Sequence, residues 1–366
     1  MFLDSVFQNI ELSLPHTLTI LCTYQCTAAC KQCCFESSPQ VKGRLSLKTI
    51  LARISEAKKS FPGLRLVVFS GGEAFLLKDD LYAAVHHATL LGLMTRIVTN
   101  GSWGKTLTSA AAVVEKLIAS GITEINISTG VDHLEWVPLE SVVNAALSLC
   151  EAGVRTLVTV EADTIDRDCM GELRANSSFL RAIKSGNLQL LNNSWMPFSD
   201  DASDRKRNFD VSSLQGGCAQ IFSTVVVTPH DNLSACCGLT LEHIPEMRLG
   251  HNSGTNMHEL YTAQRDDFLK VWIHVDGPYT IVKRVMGDES LALLANVSHI
   301  CQCCAILHQS PSVRERLARD YTQYIPEVMT RFALSNQTTG ATTPAQQASL
   351  PSITNSLNSE VAYVTS

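Results

Sequence analysis

Through the first half of the chain, short aliphatic and β-branched runs alternate with longer stretches of helical periodicity. Thr17–Cys22, Arg65–Phe69, Thr95–Thr99, Glu124–Ser128, Thr156–Val160 and Leu188–Leu191 read as strands. Between the first two, Ile50, Leu51, Ile54 and Ala57 recur at helical spacing within Leu47–Ser60, the pattern of a helix with one apolar face. Six strands separated by helix-length segments predict an α/β fold on a parallel sheet. Each predicted strand ends in a polar or glycine-rich loop, and in such folds ligands bind where those loops converge. A cysteine cluster follows the first strand, Gly71-Gly72-Glu73 the second and Thr99-Asn100-Gly101 the third, while Ser128 ends the fourth. All four are expected to face one cavity.

Beyond Leu191 the alternation stops. The stretch from Asn192 to Asp210 is polar and irregular, and its compact basic run, Arg205-Lys206-Arg207, reads as a solvated loop. A cysteine-bearing region extends from about Ser212 to Leu334. In it Thr224–Thr228 reads as a strand, and a turn at Pro229–Asn232 leads to Cys236-Cys237-Gly238, giving a hairpin with cysteines at both open ends. A helix from Ser312 to Tyr321 follows Cys301-Gln302-Cys303-Cys304. From Asn336 onward Thr, Ser, Gln, Ala and Pro dominate and Glu360 is the single charged residue, the composition of a disordered tail. The expected division is residues 1–195, 196–335 and 336–366.

Composition narrows the class. Of 366 residues, 45% are hydrophobic and 17% charged, as in an ordinary globular protein. A net charge of -6 disfavours a nucleic-acid binder that relies on phosphate contacts. No lysine or arginine precedes Lys31, so a secretory signal is not expected; apolar runs are too short to span a bilayer, and a cytoplasmic protein follows. Thirteen cysteines in such a chain point to metal binding or catalysis rather than disulfides. Cys150 and Cys169 stand apart from the others and read as buried core thiols.

The densest group is Cys26-Thr27-Ala28-Ala29-Cys30-Lys31-Gln32-Cys33. Three thiolates on a four-iron cubane leave one iron open to a substrate or cosubstrate. Zinc shared between Cys30-x2-Cys33 and Cys301-x2-Cys304 is the bland alternative, but it explains neither the Gly-Gly-Glu after the second strand nor the asymmetric first spacing. Cys-x3-Cys-x2-Cys after a first strand, with Gly-Gly-Glu after a second, resembles the radical S-adenosylmethionine (SAM) superfamily over roughly residues 15 to 195. The resemblance implies a partial (β/α)6 barrel with a 4Fe-4S cluster on Cys26, Cys30 and Cys33. SAM is then bound at the open iron and cleaved to a 5'-deoxyadenosyl radical that abstracts hydrogen from substrate. It also implies an external electron donor such as flavodoxin or ferredoxin, and a SAM site using Gly71, Gly72, Glu73, Asn100 and Ser128. The family's usual proline after the glutamate is Ala74 here. A further family pattern, Ser-x-Asp leading to histidine and proline, is matched by Ser128, His133 and Pro138, with Gly130 in the aspartate position and Asp132 two residues later.

Cys218, one of the Cys236-Cys237 pair, Cys301 and Cys304 could ligate a second 4Fe-4S cluster. That arrangement resembles the C-terminal extensions, of SPASM and twitch type, of radical SAM enzymes that mature ribosomal peptides, and Cys33-Cys34-Phe35-Glu36-Ser37-Ser38-Pro39 resembles peptide epimerases. The resemblance implies epimerisation or crosslinking of a peptide. With Cys236 counted among the ligands, Cys237 becomes the candidate that returns hydrogen in an epimerisation. A small-molecule substrate such as a sugar, nucleoside or amino acid is the competing expectation, since the short segment before the first strand leaves no room for a leader-binding winged helix. A non-catalytic iron-sulfur electron carrier is the third, and predicts no SAM cleavage.

Overall fold

The computed structural model describes residues 15–161, 167–193, 196, 198, 211–252 and 256–340. The Arg205-Lys206-Arg207 run and the tail from 341 lie outside them. Nine strands form one sheet in the order β6-β5-β4-β3-β2-β1-β7-β8-β9. They are β1 (Thr17–Leu21), β2 (Leu66–Ser70), β3 (Met94–Thr99), β4 (Glu124–Thr129), β5 (Arg155–Glu161), β6 (Leu188–Asn193), β7 (Thr224–Val227), β8 (Asn232–Ser234) and β9 (Arg248–His251). The first six match the predicted strands to within two residues at each end. β1 to β6 pair in parallel, and β7 joins the other side of β1, also in parallel.

Parallel neighbours need crossovers, and Leu47–Ser60, Asp79–Leu90, Leu107–Ser120 and Leu139–Glu151 supply helical ones. Their starts are locally encoded: Ser46 accepts from the Thr49 amide, and Thr106 and Ser109 form a reciprocal capping box. Strand alternation divides the side chains between two faces. Leu18, Ile20, Val67, Phe69, Ile97, Ile125, Ile127 and Val158 pack on Ile50, Ile54, Leu81, Val114 and Leu149 of the helices. Thr17, Thr19, Leu66, Val68, Arg96, Val98, Asn126 and Ser128 line the concave side. The fold is α/β with a parallel-dominated sheet.

The C-terminal half covers part of that concave side. Leu21 of β1 and Val226 of β7 belong to a second core with Trp272, Ile273, Val282, Leu307 and Phe332. β7, β8 and β9 extend the same sheet across the expected boundary at 195. The expected hairpin is present: β8 pairs antiparallel with β7, and Asp231 in the turn adopts φ 60°. Arg53 clamps that turn to the first helix, donating from Nε (2.7 Å) and Nη2 (2.6 Å) to the Asp231 carboxylate. The helix expected at Ser312–Tyr321 spans Pro311–Asp320. One boundary needs correction: the helix Ile325–Gly340 runs past Asn336, where the tail was expected to begin. Once a helix is nucleated on packed residues such as Val328 and Phe332, each added residue gains a hydrogen bond without a new nucleus, so polar residues can extend it. Among the described residues no helix is long and apolar enough to cross a membrane.

Candidate active site

The loop after β1 folds back through bridges Thr23–Arg44 and Gln25–Ser38, and a turn closes between the Cys33 amide and the Cys30 carbonyl (3.2 Å). Cys26, Cys30 and Cys33 thereby line one cavity of about 550 Å³, together with Cys34. Gly71, Gly72, Thr99, Asn100 and Ser128 line it too, so all four expected loops converge. The glycines serve first to let two loops meet. A Cβ on Gly71 would lie 2.4 Å from the Thr23 carbonyl and one on Gly72 2.2 Å from that of Gln25. Gly71 also adopts φ +123°, a conformation that side chains disfavour. The backbones lock by Gly72 N to Thr23 O (2.7 Å) and Glu73 N to Gln25 O (3.0 Å).

Glu73 is placed differently from its glycines. Its buried carboxylate accepts from the Phe75 amide (3.1 Å), the Asn100 amide (2.9 Å) and the Thr99 hydroxyl (2.9 and 3.1 Å), tying the β2 loop to the β3 loop. Burial raises its pKa against the pull of these donors. Asn100 Nδ2 donates to Thr27 Oγ1 (2.9 Å) and Cys26 Sγ (3.7 Å), and the Ser37 amide donates to Cys33 Sγ (3.4 Å). These donors favour negative charge on sulfur. Burial pushes the Cys26 thiol up to about 11 and raises Cys30 as well, with Glu161 and the neighbouring thiols adding to the effect on Cys30. Two neighbouring thiols that resist ionisation, Cys26 and Cys30, suit a cationic metal centre, which would supply the missing positive charge.

At the ends of β4 and β5 the structure adds Glu161, which pattern reading left aside, to His133 and Asp132, which it had named. Glu161 is the last residue of β5, 1% exposed, and pairs with His133 Nδ1. Asp132, also buried, lies beside them on the cavity wall. Burial opposes charge on His133, yet Glu161, then Asp132 and Glu73, hold its pKa above the ordinary value. Gly130 sits where a Cβ would meet the Glu161 Cβ at 2.7 Å, which accounts for glycine at the position where the family pattern has aspartate. Glu161 carried one readable signal, a charged residue at the inner C-terminal end of a strand.

The second cysteine group is gathered from distant segments. Cys218 is held by its amide on the Ile273 carbonyl (2.9 Å), Cys236 and Cys237 follow β8, and Cys301 and Cys304 sit one turn apart on the helix Ile300–Gln309. Burial raises all of Cys236, Cys237, Cys301 and Cys304, and each also feels the charge of Cys218. Gly238 leaves the space: a Cβ there would stand 3.0 Å from Cys301 Sγ and 3.8 Å from Cys236 Sγ. Cys303 turns away into a small core with Leu214 and Val297, and Cys150 and Cys169 are core residues as expected. The Cys236-Cys237 pair is split. Cys236 packs in the second core, whereas Cys237 lines the cavity and donates to Gln220 Oε1 (2.9 Å). Buried Cys34 feels both Cys33 of the first group and Cys301 of the second. Among the described residues no three His, Cys, Asp or Glu side chains form a single-ion metal site. All-thiol donor sets suit iron-sulfur clusters and structural zinc alike.

Residues 20–165 match the model of the Radical SAM superfamily. No curated protein sequence matches the chain. Among solved structures, native anSMEcpe with bound AdoMet and Cp18Cys peptide is 12% identical, with 87% of this chain and 99% of that chain covered and a TM-score of 0.51. Native anSMEcpe with bound AdoMet is 14% identical with the same coverage and TM-score. BtrN in complex with AdoMet and 2-DOIA is 16% identical, covering 71% and 87% of the respective chains with a TM-score of 0.42. The two anSMEcpe structures share the fold. Family match and shared fold together indicate a radical SAM enzyme domain over residues 20–165, of a class that uses AdoMet and whose chemistry implies a 4Fe-4S cluster.

Proposed function

We propose that this enzyme epimerises a residue of a peptide, taking hydrogen from a substrate carbon on one side of the cavity and returning it from Cys237 on the other. Cys26, Cys30 and Cys33 would hold the catalytic cluster, and Cys218, Cys236, Cys301 and Cys304 an auxiliary one. A cluster held by Cys26, Cys30 and Cys33 would supply the electron for reductive cleavage of AdoMet, giving methionine and the 5'-deoxyadenosyl group that takes the substrate hydrogen and would leave as 5'-deoxyadenosine. Gly71, Gly72, Asn100 and Ser128 line the same end of the cavity and would position AdoMet, with Glu73 holding their loops together.

The observation that carries the reading is the placement of Cys237. The triad sits where the parallel strands end. Because β8 runs antiparallel to β7, with Val226 opposite Ser234, the chain after β8 arrives near the strands' beginnings, and there Cys237 contacts Thr19 and Gln220. Burial pushes its thiol up to about 11, so the S–H bond needed for hydrogen return is intact at neutral pH. In the return step that bond breaks and a C–H bond forms on the substrate radical. The sulfur radical left on Cys237 regains a proton and one electron from an external donor of flavodoxin or ferredoxin type, in keeping with a cytoplasmic location. The fold shared with anSMEcpe, whose structure holds AdoMet and a Cp18Cys peptide, supports a peptide substrate.

Turnover in deuterated water tests this. The wild type is expected to place one solvent deuterium at the inverted carbon, and Cys237→Ala to keep releasing 5'-deoxyadenosine while losing that deuterium and the epimer. An unchanged epimer yield in the variant overturns the reading. A second reading, a small-molecule substrate, draws on the cavity's volume of about 550 Å³, which falls in the range of small-ligand sites. Turnover of small acids or sugars with no change in candidate peptides would favour it.

A further inference from the structure

A row of charge crosses the sheet at the far end from the cysteine triad. Strand register sets Thr19, Val68, Arg96, Glu124 and Arg155 side by side on β1 to β5. Arg96 lines the cavity, flanked there by Val68 and Val98. Glu124 is shared: one oxygen lies 2.6 Å from Arg96 Nε and the other 3.5 Å from Arg155 Nε. Two guanidiniums on one carboxylate leave one positive charge in excess. Glu124 approaches Arg96 at Nε, and the Arg96 side chain keeps 36% of its surface exposed on the cavity wall, where a guanidinium has Nη donors to offer a ligand. At the other end, buried Asp132 and Glu161 give the cavity the opposite sign, offset in part by His133.

We propose that Arg96, braced by Glu124, is a specificity-determining anchor for a carboxylate of the substrate beside Cys237. The inference rests on the reading of this cavity as the substrate pocket. A guanidinium fork matches a carboxylate with two parallel hydrogen bonds, and in a partly enclosed cavity the attraction exceeds its value in open water. The acidic far end repels the same carboxylate, so the two ends fix the direction in which the substrate lies. Arg96 also lies close enough to Cys237 for its charge to act on that thiol, which places the anchored group next to the hydrogen donor.

Site-resolved alkylation of Cys237 tests the anchor without turnover. Anaerobically reconstituted full-length protein is treated with iodoacetate or iodoacetamide, and labelling of Cys237 is followed by peptide-mapping mass spectrometry. The ratio of the two rates cancels the thiolate fraction and reads the preference of the cavity floor for an anion. It is expected to exceed the ratio for the same cysteine in urea-unfolded protein by about tenfold. Arg96→Gln should return the ratio to the unfolded value, the rates of both reagents also falling together as the charge beside the thiol is lost, and Arg96→Lys should retain part of the preference. A wild-type ratio at or below the unfolded value overturns the proposal whether or not the variants fold, as does a Cys237 that neither reagent labels. Protection by acetyl-glutamate α-amide points to a side-chain carboxylate and protection by acetyl-alanine to a terminal one; protection by neither overturns it. Since no step needs AdoMet or a peptide, this outcome is independent of hydrogen return by Cys237, which the deuterium experiment reads.

Discussion

The two cysteine groups reach their positions by different routes. Cys26, Cys30 and Cys33 lie on one loop whose geometry is set by its own turn and by docking on Gly71 and Gly72. Cys218, Cys236, Cys301 and Cys304 come from three segments and meet only because β8 pairs with β7 and the helix Ile300–Gln309 packs in the second core. A local group depends on a short stretch of chain, whereas a long-range one depends on the tertiary fold that closes the loops between its members. Removing a ligand from each group should therefore have unequal results. Cys30→Ala is expected to abolish 5'-deoxyadenosine release and to lower iron from about eight to about four atoms per chain, with little change in thermal stability. Anaerobic iron assay and chromatography of the nucleoside check both.

Cys301→Ser should show the converse. Iron is again expected to fall to about four per chain with 5'-deoxyadenosine still released, and the melting temperature to drop, since a cluster on this group would couple metal binding to folding of the C-terminal half. Equal iron in the variant and the wild type would remove the second cluster. Gly238→Ala is a milder intrusion at the same place: its Cβ would meet Cys301 Sγ at 3.0 Å, and the sulfur must shift by a few tenths of an ångström. Partial loss of the second iron complement is expected, with a stability cost of about 1–2 kcal/mol, measured by urea unfolding of the reconstituted protein.

The same contrast explains what could be read from sequence. Strands β1 to β6 were legible because parallel strands buried against helices are written as short aliphatic runs, and the triad because its spacing lies within eight residues. The division of Cys236 from Cys237 was not, since it depends on which side of the post-β8 segment faces the cavity. Nor was the departure of Cys303 from its neighbours, which follows from the position of that helix over Leu214 and Val297. Gly71 and Gly72 were readable as part of a SAM site, but their close approach to the carbonyls of Thr23 and Gln25 was visible only in three dimensions. Arg96 and Glu161 are charged residues inside otherwise ordinary strands. Their meaning lies in the register that aligns Arg96 with Glu124 and sets Glu161 against Gly130.

The cavity wall next to the triad offers the finest test, because its electrostatics differ in sign from those of the thiols. Burial raises the thiol pKa values by penalising the anion, whereas burial opposes the cationic His133 and the Glu161 carboxylate overcomes it. A histidine whose pKa is raised on folding contributes stability that is fully present below its ordinary value of 6.5 and is lost as pH rises through the folded-state value. His133→Gln is therefore expected to destabilise the protein most near pH 6, by about 3 kcal/mol for a buried pair broken on one side. As pH rises through the folded-state value the difference should shrink, because the wild-type imidazole becomes neutral as well. Urea unfolding at stepped pH values from 6 upward measures it. A cost that stays constant across that range would mean that the ring acts through packing alone, leaving Glu161 without a charged partner on the cavity wall.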